Sequence, residues 1–315
     1  MSERIQVPGP DDRTIEVLTG GADDGFCLLF HGGSPSAVAE WPALDDAARA
    51  AGLRVVTYSR PGYGASTPRA EAGVYADDVV ESVAVLDHLA VDDFVTVGWS
   101  GGGPRALACA ALLPERCRAA ATIAGVAPYD ADGLDWFAGM ADENHAEYHA
   151  AEQGRDVYGA FLQQNVLPVL LASPEVLADG MGGLVTPVDN AFLDAPFCDW
   201  LSRTFNHAAA QGVVGIRDDG LAAVAPWGFA LADILVPVAV WQGRQDAMVP
   251  YAHGEWLAER VPTAQKHLFD EEGHLFPDHP AGPDPHRPQA ARRGQLIAWL
   301  ARSPVLAEAT TECAG

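Results

Sequence analysis

The sequence predicts an α/β protein, a mainly parallel sheet with helices on both faces and a helical block inserted between two of its strands. Short apolar runs rich in β-formers, each stopped by glycine or a polar turn, alternate with longer alanine- and leucine-rich stretches. That rhythm breaks between Pro128 and Asp233. The length, 315 residues, suffices for one large domain with a sizeable insertion that buries roughly three quarters of the surface of the unfolded chain.

The strands fall at 13–18, 26–30, 54–59, 94–99, 119–124, 236–242 and 266–270, and the helical stretches between them include 38–51, 75–89, 103–113, 252–260 and 288–301. Within 128–233 the pattern turns to polar and aromatic helical segments broken by glycine and proline, such as GMADENHAEYHAAEQ and PVDNAFLDAPFCDWLSRTF. A helical insertion between sheet strands reads as a lid over the crevice at their carboxyl ends. The chain thus divides into a core of 1–127 and 234–303, a helical cap of 128–233 and a loose tail of 304–315. No internal repeat is visible.

Composition narrows the function. With 19 basic and 43 acidic residues the formal charge is −24, which repels a phosphate backbone or an anionic membrane. The carboxylates are spread along the chain and read as solvated surface, so acidity names no substrate. Five cysteines, Cys27, Cys109, Cys117, Cys198 and Cys313, are odd in number and form no CxxC pair, against a disulfide framework or zinc ribbon. The start, MSERIQVPGPDDR, lacks an apolar h-region, and no run of about 18 uncharged apolar residues occurs. The expectation is a cytoplasmic protein with reduced thiols, neither exported nor membrane-inserted, acting on a small molecule. A homo-oligomer stays open.

Residues 94–113, FVTVGWSGGGPRALACAALL, hold the strongest local signal: a buried strand, then Gly98-Trp99-Ser100-Gly101-Gly102, then a helix with Pro104 in its first turn. A bare G-x-S-x-G is weak in a chain of 32 glycines. Here the strand must reverse into a helix within a few residues, which strains Ser100 and requires neighbours without side chains, a place Gly98 and Gly102 fill. The Ser100 hydroxyl then stands at a helix start, where unpaired N–H groups and the dipole favour a developing negative charge.

Upstream, the strand FCLLF runs into HGGSPS at 31–36, then come YSRPGYGAS at 58–66, WQGRQDAMVP at 241–250 and EEGHLF at 271–276. In this order, over nearly the whole chain, these segments resemble the α/β-hydrolase superfamily, in its serine-nucleophile branch with a helical cap. The resemblance implies an eight-stranded sheet with the cap inserted after strand 6, and a Ser, Asp, His order of the reacting groups. It implies an oxyanion hole of the Gly33 and Gly101 N–H groups, with Ser34 a weaker candidate donor; one such donor is typically worth roughly 3–4 kcal/mol of barrier. It gives His31 and the YSRPGYGAS turn bracing roles, with Ser59 standing where relatives often carry aspartate.

A serine hydroxyl needs a base, and that base a third group to fix its tautomer and stabilise its charge. Asp246 follows the strand VPVAVWQG in the loop where the family places its acid, and His274 follows the last strand behind the small Gly273. Among ten histidines His274 alone has that placement; His267 lies in a strand, His253 at a helix start, and His279 and His286 in a proline-rich loop. Asp270, Glu271 and Glu272 are the nearby carboxylates that compete with Asp246 for the acid's role. His145 and His149 share a helix face but lack an HExxH pattern and a third ligand, and the mixed Asp and His loop 278–286 reads as rigid surface, so no metal is expected. No GxGxxG or phosphate loop is present, and no cofactor is required.

The chemistry these residues point to is acyl transfer: Ser100 attacks a carbonyl, His274 shuttles the proton and water releases the acid. Serine at 100 sets aside the carboxylate-nucleophile branches, the haloalkane dehalogenases and epoxide hydrolases. A carboxylesterase acting on a small, partly apolar ester fits a cap rich in apolar and aromatic residues (Trp136, Phe137, Tyr158, Phe161, Phe192, Phe197, Trp200, Phe205), although most of these also suit a core for the cap itself. A proline-iminopeptidase-like aminopeptidase is the main rival, with Asp142, Glu143 and Glu147 as acidic cap residues, but Ser34 interrupts its HGGPG pattern. Carbon–carbon bond hydrolases use the same triad. A ligand receptor on a hydrolase scaffold is the reading from another class, against which an intact triad argues.

Overall fold

In the computed structural model, which describes residues 2–275 and 290–312, two antiparallel strands open the chain, β1 (Glu3–Pro8) and β2 (Thr14–Gly21). Alternation follows, with β3 (Phe26–His31), α1 (Pro42–Ala50), β4 (Leu53–Tyr58), α2 (Val79–His88), β5 (Phe94–Trp99), α3 (Gly103–Leu112) and β6 (Cys117–Ile123). A helical block comes next: α4 (Asp142–Glu152), α5 (Arg155–Asn165), α6 (Leu167–Leu170), α7 (Pro174–Gly180), α8 (Pro187–Asn190), α9 (Ala195–Ala208) and α10 (Val214–Ala223). The chain returns to the sheet through β7 (Val238–Gly243), α11 (Tyr251–Arg260), β8 (Ala264–Phe269) and α12 (Ala290–Glu312).

The eight strands form one sheet in the order β1-β2-β4-β3-β5-β6-β7-β8, antiparallel at β1·β2 and β2·β4 and parallel from β4 onward. Successive side chains point to opposite faces of a strand, so Leu29 and Val56 join one core layer with Val85, Leu107 and Leu257, while Leu28 and Val55 join the other with Val97, Trp241 and Leu300. Every residue of β5 is buried. The end of that central strand is where Ser100 sits.

All seven runs read as strands from sequence are strands. The first one, β1, has no counterpart in that reading, because on this edge strand only Val7 is fully buried and the apolar signal is correspondingly faint. Helix α1 starts at Pro42 rather than near 38, since proline fits the first turn and stops a helix from running through it. Helix α12 runs on to Glu312, past Pro304, where a tail was expected; Leu306, Ala307, Glu308 and Ala309 are strong helix formers. Residues 313–315, with Cys313, and the loop bearing His279 and His286 lie outside the described residues. Cys27, Cys109, Cys117 and Cys198 are buried and unbridged. Among the described residues no helix is long and apolar enough to cross a membrane.

Candidate active site

Ser100 takes a left-handed backbone conformation, φ 54°, between β5 and α3. The sequence around it has no freedom to differ. A Cβ at Gly98 would lie 2.0 Å from the carbonyl oxygen of Gly102, and one at Gly102 would lie 2.1 Å from that of His31. The loop after β3 is pressed equally close, with a Cβ at Gly33 meeting that of Ser100 at 3.4 Å and one at Gly101 meeting that of Ser34 at 2.8 Å. The backbone of Gly33 thus borders the Ser100 side chain, and Gly101, the residue after Ser100, packs against Ser34 of the same loop.

His274 and Asp246 are brought together from the loops after β8 and β7. Nδ1 of His274 donates to Oδ2 of Asp246 at 2.9 Å, and both residues are buried. With that nitrogen carrying the proton, Nε2 is left as the acceptor. Asp246 is itself held: Oδ1 accepts the backbone N–H groups of Met248 at 2.9 Å and Val249 at 2.8 Å, and Oδ2 accepts Nε2–H of Gln242 at 3.0 Å. Burial pushes the His274 imidazole down, but the charge and hydrogen bond of Asp246, helped by Asp189, carry it above its usual value. The competing carboxylates are engaged elsewhere, Asp270 with Arg244 and Glu272 with Arg292, while Glu271 is exposed.

A residue that sequence reasoning missed closes this corner. Asp189 of α8 is fully buried, and its Oδ1 accepts the backbone N–H of His274 at 2.7 Å and of Leu275 at 2.9 Å. A Cβ at Gly273 would lie 2.3 Å from the same oxygen, which explains the glycine before His274. The one signal in the sequence is Thr186-Pro-Val-Asp189, a capping box at the start of a short helix, and it says nothing of a distant partner.

Ser100 and His274 line one cavity of about 100 Å³, walled by Gly33, Trp41, Trp99, Trp200 and Phe205. Trp41 stacks on Trp200 with centroids 4.3 Å apart, and Trp99 tilts against Trp200 at 6.3 Å. A larger cavity of about 390 Å³ meets the first at Ser100 and reaches under α4 and α5, past Gly101, Glu147, Tyr148, Tyr158 and Phe161. Of the cap aromatics, Tyr158, Phe161, Trp200 and Phe205 face these cavities, whereas Trp136, Phe192 and Phe197 are buried in packing clusters. The rings of His145 and His149 lie tilted against Phe137, and His149 also pairs with Glu152. His31 is buried against Tyr58, with its ring pushed down to about 3 by burial and by Arg105 and Arg60. Ser59 does not leave its turn unbraced: its hydroxyl donates to Glu16 at 2.8 Å and accepts the Val38 N–H at 3.1 Å.

Comparison with known proteins agrees with this fold. A family model described as the alpha/beta hydrolase fold matches residues 27–279. The chain is 29% identical over 231 residues, 73% of its length and 84% of the relative's, to a pimeloyl-[acyl-carrier protein] methyl ester esterase of Aromatoleum aromaticum. It is 26% identical over 280 residues, 84% of its length and 86% of the relative's, to a 2-hydroxy-6-oxononadienedioate/2-hydroxy-6-oxononatrienedioate hydrolase of Cupriavidus pinatubonensis. Among solved structures a hydrolase from Pseudomonas aeruginosa superposes with a TM-score of 0.69 at 20% identity, covering 95% of this chain and 98% of the other. The chain belongs to the alpha/beta hydrolase fold family.

Proposed function

We propose that the protein is a serine hydrolase that cleaves a carboxylic ester of a small, partly apolar substrate through an acyl-enzyme, with Ser100 as nucleophile, His274 as base and Asp246 as its orienting acid. The observation that carries this reading is the His274–Asp246 hydrogen bond of 2.9 Å at the wall of the same cavity that Ser100 lines. Nε2 of His274 takes the Ser100 proton as Oγ attacks the carbonyl carbon, and the N–H groups of Gly33 and Gly101 receive the oxyanion. The imidazolium, stabilised by Asp246, then protonates the departing alkoxide. Water, deprotonated by the same nitrogen, attacks the acyl-enzyme and frees the acid.

The two cavities give the substrate a direction. His274 must hand its proton to the leaving oxygen and it borders only the smaller cavity, so the alcohol departs there and the acyl group extends beneath α4 and α5. A short apolar alcohol joined to a larger acid is the ester that fits, in keeping with the methyl ester cleaved by the first relative. Among the described residues lining the two cavities, Arg105 is the one guanidinium or ammonium side chain, and it is committed to Asp78, Asp219 and the carbonyl of Gly101. That leaves no cation to receive the two carboxylates of a dioate, which favours the esterase over the carbon–carbon hydrolase reading.

Assay of the purified protein against acyl esters, thioesters, lactones and aminoacyl amides, with Ser100→Ala beside it, tests the proposal. Hydrolysis of methyl or ethyl esters that disappears in Ser100→Ala is expected. Turnover confined to aminoacyl amides, or persisting in Ser100→Ala, would overturn it.

A further inference from the structure

We propose that Asp219, a cap residue on α10, is a positioning residue for the oxyanion hole: it anchors two buried guanidiniums, one of which fixes the peptide that carries the Gly33 N–H while the other braces the backbone of Gly101 one peptide beyond its N–H. The inference rests on the reading of Gly33 and Gly101 as the oxyanion donors.

Arg60, in the turn after β4, donates through Nη1 to the carbonyl of Gly32 at 2.9 Å and through Nη2 to that of Gly33 at 2.7 Å. Gly32 C=O and Gly33 N–H belong to a single planar trans peptide, so a donor fixed on the oxygen fixes the direction of the N–H at the other edge. It also polarises that peptide and strengthens the N–H as a donor. On the other flank Arg105 of α3 donates through Nη1 to the carbonyl of Gly101 at 2.6 Å, holding the residue whose own N–H is the second donor.

Neither guanidinium could stay where it is without a counter-charge. Arg60 and Arg105 are 3% and 2% exposed, and a buried cation stripped of its partner is strongly unfavourable. Asp219, 7% exposed, serves both: Oδ1 accepts from Nε of Arg60 at 3.2 Å and from Nη2 of Arg105 at 2.5 Å, and Oδ2 from Nη2 of Arg60 at 2.6 Å. Oδ2 also accepts the hydroxyls of Tyr63, at 2.7 Å, and Ser34. Burial would push this carboxyl up, yet the two arginines hold it down at about 2, so it is ionised throughout the working range. Asp78 completes the balance on the far side of Arg105, at 2.5 Å from Nε.

The connection crosses from cap to core. Asp219 is inserted between β6 and β7, whereas Arg60, Arg105 and the glycine carbonyls they hold are parts of the core. The donors are therefore held in their aim only when α10 is seated, and the cap acts on the chemistry through a charge rather than by covering the site alone.

Asp219→Asn keeps the size of the side chain and removes its charge. If Asp219 positions the donors, kcat for a short methyl ester falls roughly 10- to 100-fold while KM stays within about threefold, since misaimed donors harm the transition state and not the ground state. Affinity for a trifluoromethyl ketone, which forms the tetrahedral oxyanion on Ser100, falls by the same factor, and affinity for the matching secondary alcohol is unchanged. If Asp219 only fastens the cap, Asp219→Asn lowers the melting temperature while kcat and the ketone affinity of the folded protein stay within twofold, and the inference is wrong. Should Asp219→Asn not fold, Arg60→Lys carries the same measurements, because lysine keeps the charge facing Asp219 but cannot grip both carbonyls. Ser100→Ala run alongside separates the two levels: an active Ser100→Ala removes the hydrolase reading together with this inference, whereas an inactive one beside an unimpaired Asp219→Asn removes the inference alone.

Discussion

Asp189 accepts the backbone N–H of His274 at 2.7 Å, so the cap grips the loop that carries the proposed base. Asp189→Ala orphans two buried N–H groups, His274's and Leu275's, and empties the space beside Gly273. The expected cost is roughly 2–4 kcal/mol of folding stability by denaturant titration, with a loss of turnover larger than the unfolded fraction explains. Asp189→Asn, which keeps an accepting oxygen, should cost distinctly less. Equal effects of the two variants would mean that charge, not the acceptor, holds this loop.

In the proposed mechanism the raised imidazole of His274 sets the acid limb of the pH profile. The base must be neutral, so kcat/KM should rise with pH through a midpoint above the ordinary value of 6.5. Asp246→Asn removes the charge that lifts it, so the midpoint should move down while kcat falls on the order of 10⁴-fold. A profile flat from about pH 5 to 8 contradicts His274 as the base.

Stability should follow pH for a different reason. His31 and His253 are pushed down by burial to about 3 and about 4, so the unfolded chain binds protons below 6.5 that the folded chain refuses. Their contribution is whole above 6.5 and drains away as pH falls, by roughly 2–4 kcal/mol at pH 5 for the pair. His274, shifted the other way, contributes fully below 6.5 and loses its share as pH climbs through its raised value, outside that acid window. Denaturation midpoints at pH 7 and pH 5 check this; equal midpoints refute it.

Ser100→Ala and His274→Ala should each lower ester turnover by roughly 10⁶ while the fold is retained, His274→Ala at some loss of stability because Asp246 is left buried without its partner. Gly98→Ala should behave oppositely, harming the fold itself, because its methyl would sit 2.0 Å from a backbone oxygen that cannot yield. Circular dichroism of the three purified variants distinguishes the two classes.

What was legible in the sequence was whatever is written locally. Ser100 is announced by the strand before it, the helix after it and the glycines that flank it, and His274 and Asp246 by their places behind β8 and β7. Asp189 and Asp219 were not legible, although the structure ties each to core loops of the site. Each is one among 43 acidic residues, on a cap helix whose local pattern is satisfied without reference to a partner far along the chain. Glu16 escaped notice for the same reason: its link to Ser59 joins two segments that only the folded sheet makes neighbours. The edge strand β1 was lost for want of buried side chains rather than for want of distance.

The indoles of Trp41, Trp99 and Trp200, gathered around the smaller cavity, give the protein an optical reporter of its own. Anything that enters or leaves beside Ser100 alters the polarity these three rings sense. Intrinsic emission followed in a stopped-flow instrument would then time the alcohol's departure separately from release of the acid, with no dye attached.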